Sequence, residues 1–270
     1  MIRKCFTINQ NRTLEEIKSY EDHLVKTGIF QGCEIFYPYD TSKEQYENYV
    51  KGIKDLMKYD NFEIVCHLPH GIQNNIASYT NLEEIMNRYY KAIDFSAMFN
   101  IKKLTLHPGD CDGTLTKEEA TKLSISNVMK MKDYAEKYGM TIMIENLVGS
   151  NQLCLTKEEM LSYLSHFNNE VKLTFDCGHC NASQTPSKSE VNDFVKLLKD
   201  YLWHVHISDN NGTTDQHGPI GSGNIDFVSY FQTLKNIGYQ GLYSSEVLFK
   251  TYEDLMSTAN KVMEIEKELE

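Results

Sequence analysis

Short runs rich in β-branched and aromatic residues recur along the chain, and each is followed by a longer stretch whose apolar residues return at helical spacing. The runs cover 4–8, 33–37, 62–67, 103–107, 141–145, 172–176, 203–208 and 241–247. Intervals of roughly 30 to 40 residues are what one strand, one helix and two loops require. Helix signals fill the gaps. Thr13-Leu-Glu-Glu and Thr156-Lys-Glu-Glu each set a Thr cap ahead of a Glu at capping-box spacing, and Gly28, Gly139 and Gly238 stand where a helix should stop. The tail, 261–270, is expected to end the last helix.

Eight such units in 270 residues, with no Pro/Ser-rich linker and no charge run between them, predict a single-domain (β/α)8 TIM barrel over 1–270. A doubly wound parallel sheet would show the same alternation. The two differ in where chemistry gathers: a barrel collects it at the carboxyl ends of all its strands, an open sheet at one switch point.

Charge narrows the partners. Lys and Arg number 27 against 38 Asp and Glu, a formal net charge of −11, which repels nucleic-acid backbones and anionic membranes unless a local basic patch overrides it. The only arginines are Arg3, Arg12 and Arg88, none of them expected near a barrel mouth, so bidentate phosphate clamps are scarce. The start lacks the long apolar segment of a secretory signal and no stretch approaches the roughly 18 to 20 apolar residues of a membrane span, so a cytoplasmic location is expected. Seven cysteines, an odd number spread from Cys5 to Cys180, fit free thiols better than a disulfide framework.

The ends of the predicted strands carry the candidate chemistry. They read Cys66-His67-Leu-Pro-His70, Leu106-His107-Pro-Gly109, Ile144-Glu145-Asn146, Phe175-Asp176-Cys-Gly-His179, His204-Val-His206-Ile-Ser-Asp209 and Ser245-Glu246-Val247, with Asp215-Gln-His217 in the loop after the seventh. In a barrel these side chains converge on one mouth. Carboxylates at short range take up protons or repel unless a cation sits among them, and imidazole nitrogen mixed with carboxylate oxygen suits zinc, manganese or a similar first-row metal. His204 faces the bore by period-two alternation with His206 but one layer deeper, where a core role is expected. Cys177-Gly-His-Cys180 has the spacing of a redox pair, yet Asp176 and His179 within it are better explained as ligands. Gly221-Ser-Gly223 reads as a turn that lays its loop flat over the site rather than as a phosphate cradle.

The ordered succession of His67, His107-Pro-Gly, Glu145-Asn, Asp176-x-x-His179, His206-x-x-Asp209, Asp215-x-His217 and Glu246 resembles the superfamily of xylose isomerase-like barrels and endonuclease IV (AP endonuclease family 2) over nearly the whole chain. The epimerase branch implies one divalent metal, Zn2+ or Mn2+, on Glu145, Asp176, His206 and Glu246. There Glu145 and Glu246 are the paired acid/base residues acting through an enediolate, and His179 touches a substrate hydroxyl. The endonuclease branch implies up to three Zn2+ on His67, His107, Glu145, Asp176, His179, His206, Asp215, His217 and Glu246, and all nine positions are filled. The expected function is a metal-dependent isomerase or epimerase of a sugar, sugar phosphate or related polyol, with a small carbohydrate as partner. The alternatives are an endonuclease IV-type phosphodiester hydrolase, disfavoured by the charge, and a catalytically inactive barrel used for binding.

Overall fold

A computed structural model describes residues 1–185 and 190–270. Eight strands, β1 (Arg3–Ile8), β2 (Gly32–Phe36), β3 (Glu63–His67), β4 (Lys103–Leu106), β5 (Thr141–Glu145), β6 (Lys172–Asp176), β7 (Leu202–Ile207) and β8 (Leu242–Ser245), pair in parallel in sequence order. β8 closes on β1, with Cys5 opposite Ser244 and Phe6 opposite Ser245, so the architecture is the (β/α)8 barrel and not the open sheet. The longer connecting helices include α2 (Lys43–Leu56), α3 (Leu82–Ala97) and α4 (Lys117–Glu136), and a final helix, Tyr252–Glu268, ends in the predicted tail. No helix among the described residues is long and apolar enough to cross a membrane.

Strand ends follow local chemistry. β4 stops at Leu106, ahead of His107 and Pro108, because Pro has no N–H to give a ladder. β8 stops at Ser245, two residues short of its predicted end, so Glu246 lies just past the strand at the rim, its N–H still tied to the Ile207 carbonyl at 3.2 Å. Capping follows the sequence in part. At the first helix, α1 (Leu14–Tyr20), Thr13 accepts from the Glu16 N–H and Glu16 accepts from the Thr13 N–H, as expected. At α5 (Lys157–Leu164) the reciprocal half differs: Thr156 accepts from the Glu159 N–H, but the Glu159 carboxylate takes the Leu155 N–H at 3.0 Å and pairs with Lys117 instead. Gly28, Gly139 and Gly238 take the left-handed backbone that ends helices. All seven cysteines are free thiols.

Alternation along the strands fills the bore in layers. Arg3, Glu63 and Lys103 lie at the amino-terminal end, joined by two ion pairs. Above them Cys5, Val65, Met143 and Leu242 form a small apolar cluster, separate from the large core between strands and helices. Gly32 makes this level possible, since a Cβ there would come within 2.5 Å of the Glu63 carbonyl oxygen. The next layer is polar: Glu34, Thr105, Thr174, His204 and Ser244, all buried. The mouth lies above it.

Candidate metal centre at the barrel mouth

Glu145 ends β5, Asp176 ends β6, His206 lies one residue from the end of β7 and Glu246 follows β8, so four consecutive strands present donors to one point. His206 Nδ1 is 3.0 Å from Glu145 Oε1, 2.9 Å from Glu246 Oε2 and 3.7 Å from Asp176 Oδ2. One donor atom from each residue can be chosen so that all four lie within 4.8 Å of one another. A tetrahedral ion with bonds near 2.1 Å would space its ligands by about 3.4 Å. Asp176 Oδ2 and Glu246 Oε2 are buried with no aligned hydrogen-bond donor among the described residues. Buried carboxylate oxygens left in that state are costly, and a divalent cation satisfies both. The donor set therefore fits a first-row divalent metal.

Two further groups flank this one. His67 Nε2 and His107 Nε2 stand 3.2 and 3.0 Å from Glu145 Oε2, on the side away from His206. On the other flank Asp215 Oδ2 is 3.3 Å from His179 Nε2 and 2.9 Å from His217 Nε2. All nine sequence-nominated residues are thus brought together as three donor groups, with Glu145 common to the first two. Most of the imidazoles are held from behind. His67 Nδ1 donates to the Leu68 carbonyl at 2.8 Å, His179 Nδ1 to that of Asn146 at 2.9 Å and His217 Nδ1 to that of Glu246 at 2.8 Å, which turns each Nε2 into the mouth. Metal-ligating histidines are oriented in this way.

Burial raises the cost of charge throughout, and the arrangement overcomes it by pairing. Burial would push Glu145 up, but the His206 and His107 imidazoles hold it well below the usual carboxylate range. Glu246 is likewise brought down to about 2 by His206 against its burial. His206 and His179 are raised well above the ordinary histidine value: burial opposes this, and Glu34 and Glu246 for the first, Asp176 and Asp215 for the second, outweigh it. His217 rises to about 9, mainly through Asp215. The carboxylates of the mouth thus draw these imidazoles toward their protonated form in the metal-free chain.

The comparison with known proteins follows the geometry. The xylose isomerase-like TIM barrel family matches residues 22–264. The chain belongs to this family. It is 30% identical over 207 residues to the Methanocaldococcus jannaschii protein MJ1311, covering 73% of this chain and 69% of that one. It is also 30% identical over 133 residues to an L-ribulose 3-epimerase of Methylomonas sp., covering 46% of this chain and 43% of the epimerase, less than half of either. A crystal structure of a D-tagatose 3-epimerase-like protein superposes with a TM-score of 0.76 at 27% identity, over 98% of this chain and 97% of the other.

In this xylose isomerase-like barrel several expectations change. Arg12 does stand at the mouth, in the loop after β1, lining a cleft with Asn9, Asn11, His70, His217 and Glu246. Its guanidinium is engaged, donating to Glu16 at 2.7 Å and to the Phe249 carbonyl at 2.9 Å while lying 4.6 Å from the Phe249 ring centroid. His70 sits at the lip with its ring 4.8 Å from that of His67, outside the three donor groups. His204 is fully buried one layer down, as alternation implied. The thiols of the Cys177/Cys180 pair are buried, and Cys177 Sγ donates to the Ser208 carbonyl; burial pushes its pKa well up, the reverse of a reactive thiol. Gly221 and Gly223 do cradle an anion, but the anion is Asp209: Oδ2 accepts from both amides at 3.0 and 2.8 Å.

Three residues have roles that the sequence reading did not assign. Asn146 bonds both ways with the Asp176 backbone and accepts from His179 through its own carbonyl, fixing two mouth residues at once. Asp209 pins the loop that delivers Asp215 and His217, helped by a reciprocal backbone pair with Gly218. His217 itself has φ +44°, a left-handed conformation uncommon for histidine, which directs its ring back over the mouth. Glu34 lies beneath His206 in the polar layer; burial opposes its charge, and the His206 and His204 imidazoles hold its carboxyl well below the usual range.

Proposed function

We propose that this chain is a metal-dependent isomerase or epimerase acting on a sugar, sugar phosphate or related polyol. The observation that carries the reading is the convergence of Glu145, Asp176, His206 and Glu246, with acceptor oxygens of Asp176 and Glu246 buried and given no aligned hydrogen-bond donor. Similarity to sugar 3-epimerases supports it. A divalent cation such as Zn2+ or Mn2+, held by these four residues, would stabilise the negative charge that develops on substrate oxygens as a proton leaves the neighbouring carbon.

The chain's own part is proton transfer and orientation. Glu145 and Glu246 arrive from β5 and from the rim beyond β8 and meet at His206 from different sides. In the metal-free chain the imidazoles hold both carboxyls low against their burial, so either can be the carboxylate that takes a proton from carbon, while the other first takes one from solvent and becomes the carboxyl that returns it. Epimerisation needs a carboxylate on one face of the carbon to take the proton and a carboxyl on the other to return one, with solvent exchange restoring the starting state. His179, its Nδ1 tied to the Asn146 carbonyl, presents Nε2 to a substrate hydroxyl.

A second reading, an endonuclease IV-type phosphodiester hydrolase, is favoured by one observation: the two additional donor groups, His67 and His107 with Glu145, and His179, Asp215 and His217. Metal content and isotope wash-in separate the two. Protein purified without added metal should contain one Zn or Mn per chain and should move solvent deuterium into the carbon next to the carbonyl of ketose substrates in D2O. Three zinc ions with phosphodiester cleavage and no wash-in would overturn the epimerase reading.

A further inference from the structure

Glu34 is a carboxylate in the middle of a barrel strand, fully buried, and the proton transfers above make no use of it. Four donors surround it. Oε2 lies 2.8 Å from His206 Nε2, 3.0 Å from His204 Nε2 and 3.0 Å from Ser244 Oγ, while Oε1 accepts from Thr105 Oγ1 at 2.9 Å. An ionised carboxylate offers about four acceptor positions and no donor, so this environment is complete only with the charge present. The groups come from β4, β7 and β8, reaching across the bore to a residue of β2.

Such an acceptor decides how each imidazole is written. His204 Nδ1 is buried with no hydrogen-bond partner among the described residues, so its proton lies on Nε2, toward Glu34. His206 donates from Nε2 to the same oxygen, which leaves Nδ1 as the nitrogen that faces Glu145, Asp176 and Glu246. The backing differs from that of the other mouth histidines. His67, His179 and His217 are each held by a neutral backbone carbonyl, whereas His206 is held by a full negative charge. A carboxylate behind a ligating imidazole fixes the tautomer and ring orientation and makes the facing nitrogen a stronger donor.

We infer that Glu34 is the positioning residue of the metal centre: from inside the barrel it locks His206 as the Nε2–H form, with Nδ1 aimed at the cation. The inference rests on the metal-dependent reading above. It gives the polar layer a task, since Thr105, His204 and Ser244 hold Glu34 as Glu34 holds His206.

The experiment measures metal binding rather than turnover. Metal-stripped wild-type and Glu34→Gln chains are titrated with Zn2+ and Mn2+ in competition with a chromophoric chelator, and both are checked for folding by circular dichroism. Loss of a carboxylate behind a ligand histidine should weaken binding by about 10- to 100-fold. A folded Glu34→Gln chain with wild-type affinity overturns the role, because a residue that merely fills the core would lower the melting temperature and leave affinity alone. Should the variant not fold, the wild type still decides: 15N spectra of the histidine-labelled, Zn2+-loaded chain should show His206 protonated at Nε2 and shifted by metal at Nδ1. Metal on Nε2, or an unprotonated Nε2, overturns the inference. A wild-type chain that binds no divalent metal removes the proposed function and this inference together, whereas metal binding that ignores Glu34 removes the inference alone.

Discussion

At the amino-terminal end of the bore, Arg3 and Lys103 each hold one oxygen of Glu63 at 2.8 Å, and an apolar plug of Cys5, Val65, Met143 and Leu242 lies directly above. At the mouth, Asp176 and Glu246 keep buried oxygens without an aligned donor, and imidazoles crowd between the carboxylates. The same eight strands make both ends. At one end charges of opposite sign are paired and the layer above them is apolar, an arrangement that stabilises the closed barrel. At the other, two buried acceptors lack an aligned donor, and that deficit is what the proposed cation would meet. Barrels divide stability and chemistry between their two faces in this manner.

The sharpest way to break this contrast is to remove a mouth carboxylate. Glu246→Gln is expected to lower the epimerisation rate by about 10²- to 10⁴-fold, the usual worth of a positioned acid or base. Its metal-free melting temperature should fall modestly, because the pairing of Glu246 with His206 is lost, while the chain stays folded. Initial rates by polarimetry or NMR check the first point and calorimetry the second; a loss of activity explained wholly by unfolding would erase the distinction between the two ends. The plug should behave in the opposite sense. Met143→Ala leaves a cavity in the apolar layer and should cost about 2–5 kcal/mol in chemical denaturation, with turnover per folded chain unchanged.

The smallest effect is a drift with pH in the metal-free chain. His217, raised to about 9 against an ordinary value of 6.5, contributes stability that is complete below pH 6.5 and is lost as pH rises through about 9. Glu246, lowered to about 2 from 4.5, contributes stability that is complete above pH 4.5 and is lost as pH falls through about 2. After chelation, the melting temperature should therefore decline from about pH 6.5 toward pH 9 as the His217 pairing is lost. A melting temperature that rises over the alkaline interval would contradict the pairing of His217 with Asp215.

Much of the fold was legible because it depends on local periods. β5 and β6 coincide with their predicted runs, and the strand-end residues from His67 to Glu246 could be nominated because a parallel barrel exposes its carboxyl ends by construction. What stayed hidden depends on register. Glu34 sits in Gly-Cys-Glu-Ile-Phe, where a carboxylate amid apolar neighbours signals a buried partner, but its partners are 170 and 172 residues away, and only the stagger of the strands brings them level. Arg12 was expected away from the mouth, and its engagement there by the Phe249 carbonyl, 237 residues on, was not legible in the sequence. The Thr156 capping box differs for a similar reason: Lys117, on α4, competes for the Glu159 carboxylate from outside the helix.

Asp209 furnishes the loop after β7 with a resident guest. Backbone amides clustered around glycines welcome anions, and here the amides of Gly221 and Gly223, joined by that of Ile225 at 3.2 Å, close on a carboxylate supplied by the chain itself. A Cβ at Gly223 would come within 2.1 Å of the Asn210 carbonyl oxygen, so the wrap admits no side chain at that point. The segment carrying Asp215 and His217 is thereby set before any ligand arrives, and its order does not wait on negative charge from outside. A substrate meets a finished mould on this side of the mouth, and one that differs from its analogue only by a phosphate gains no grip from these amides.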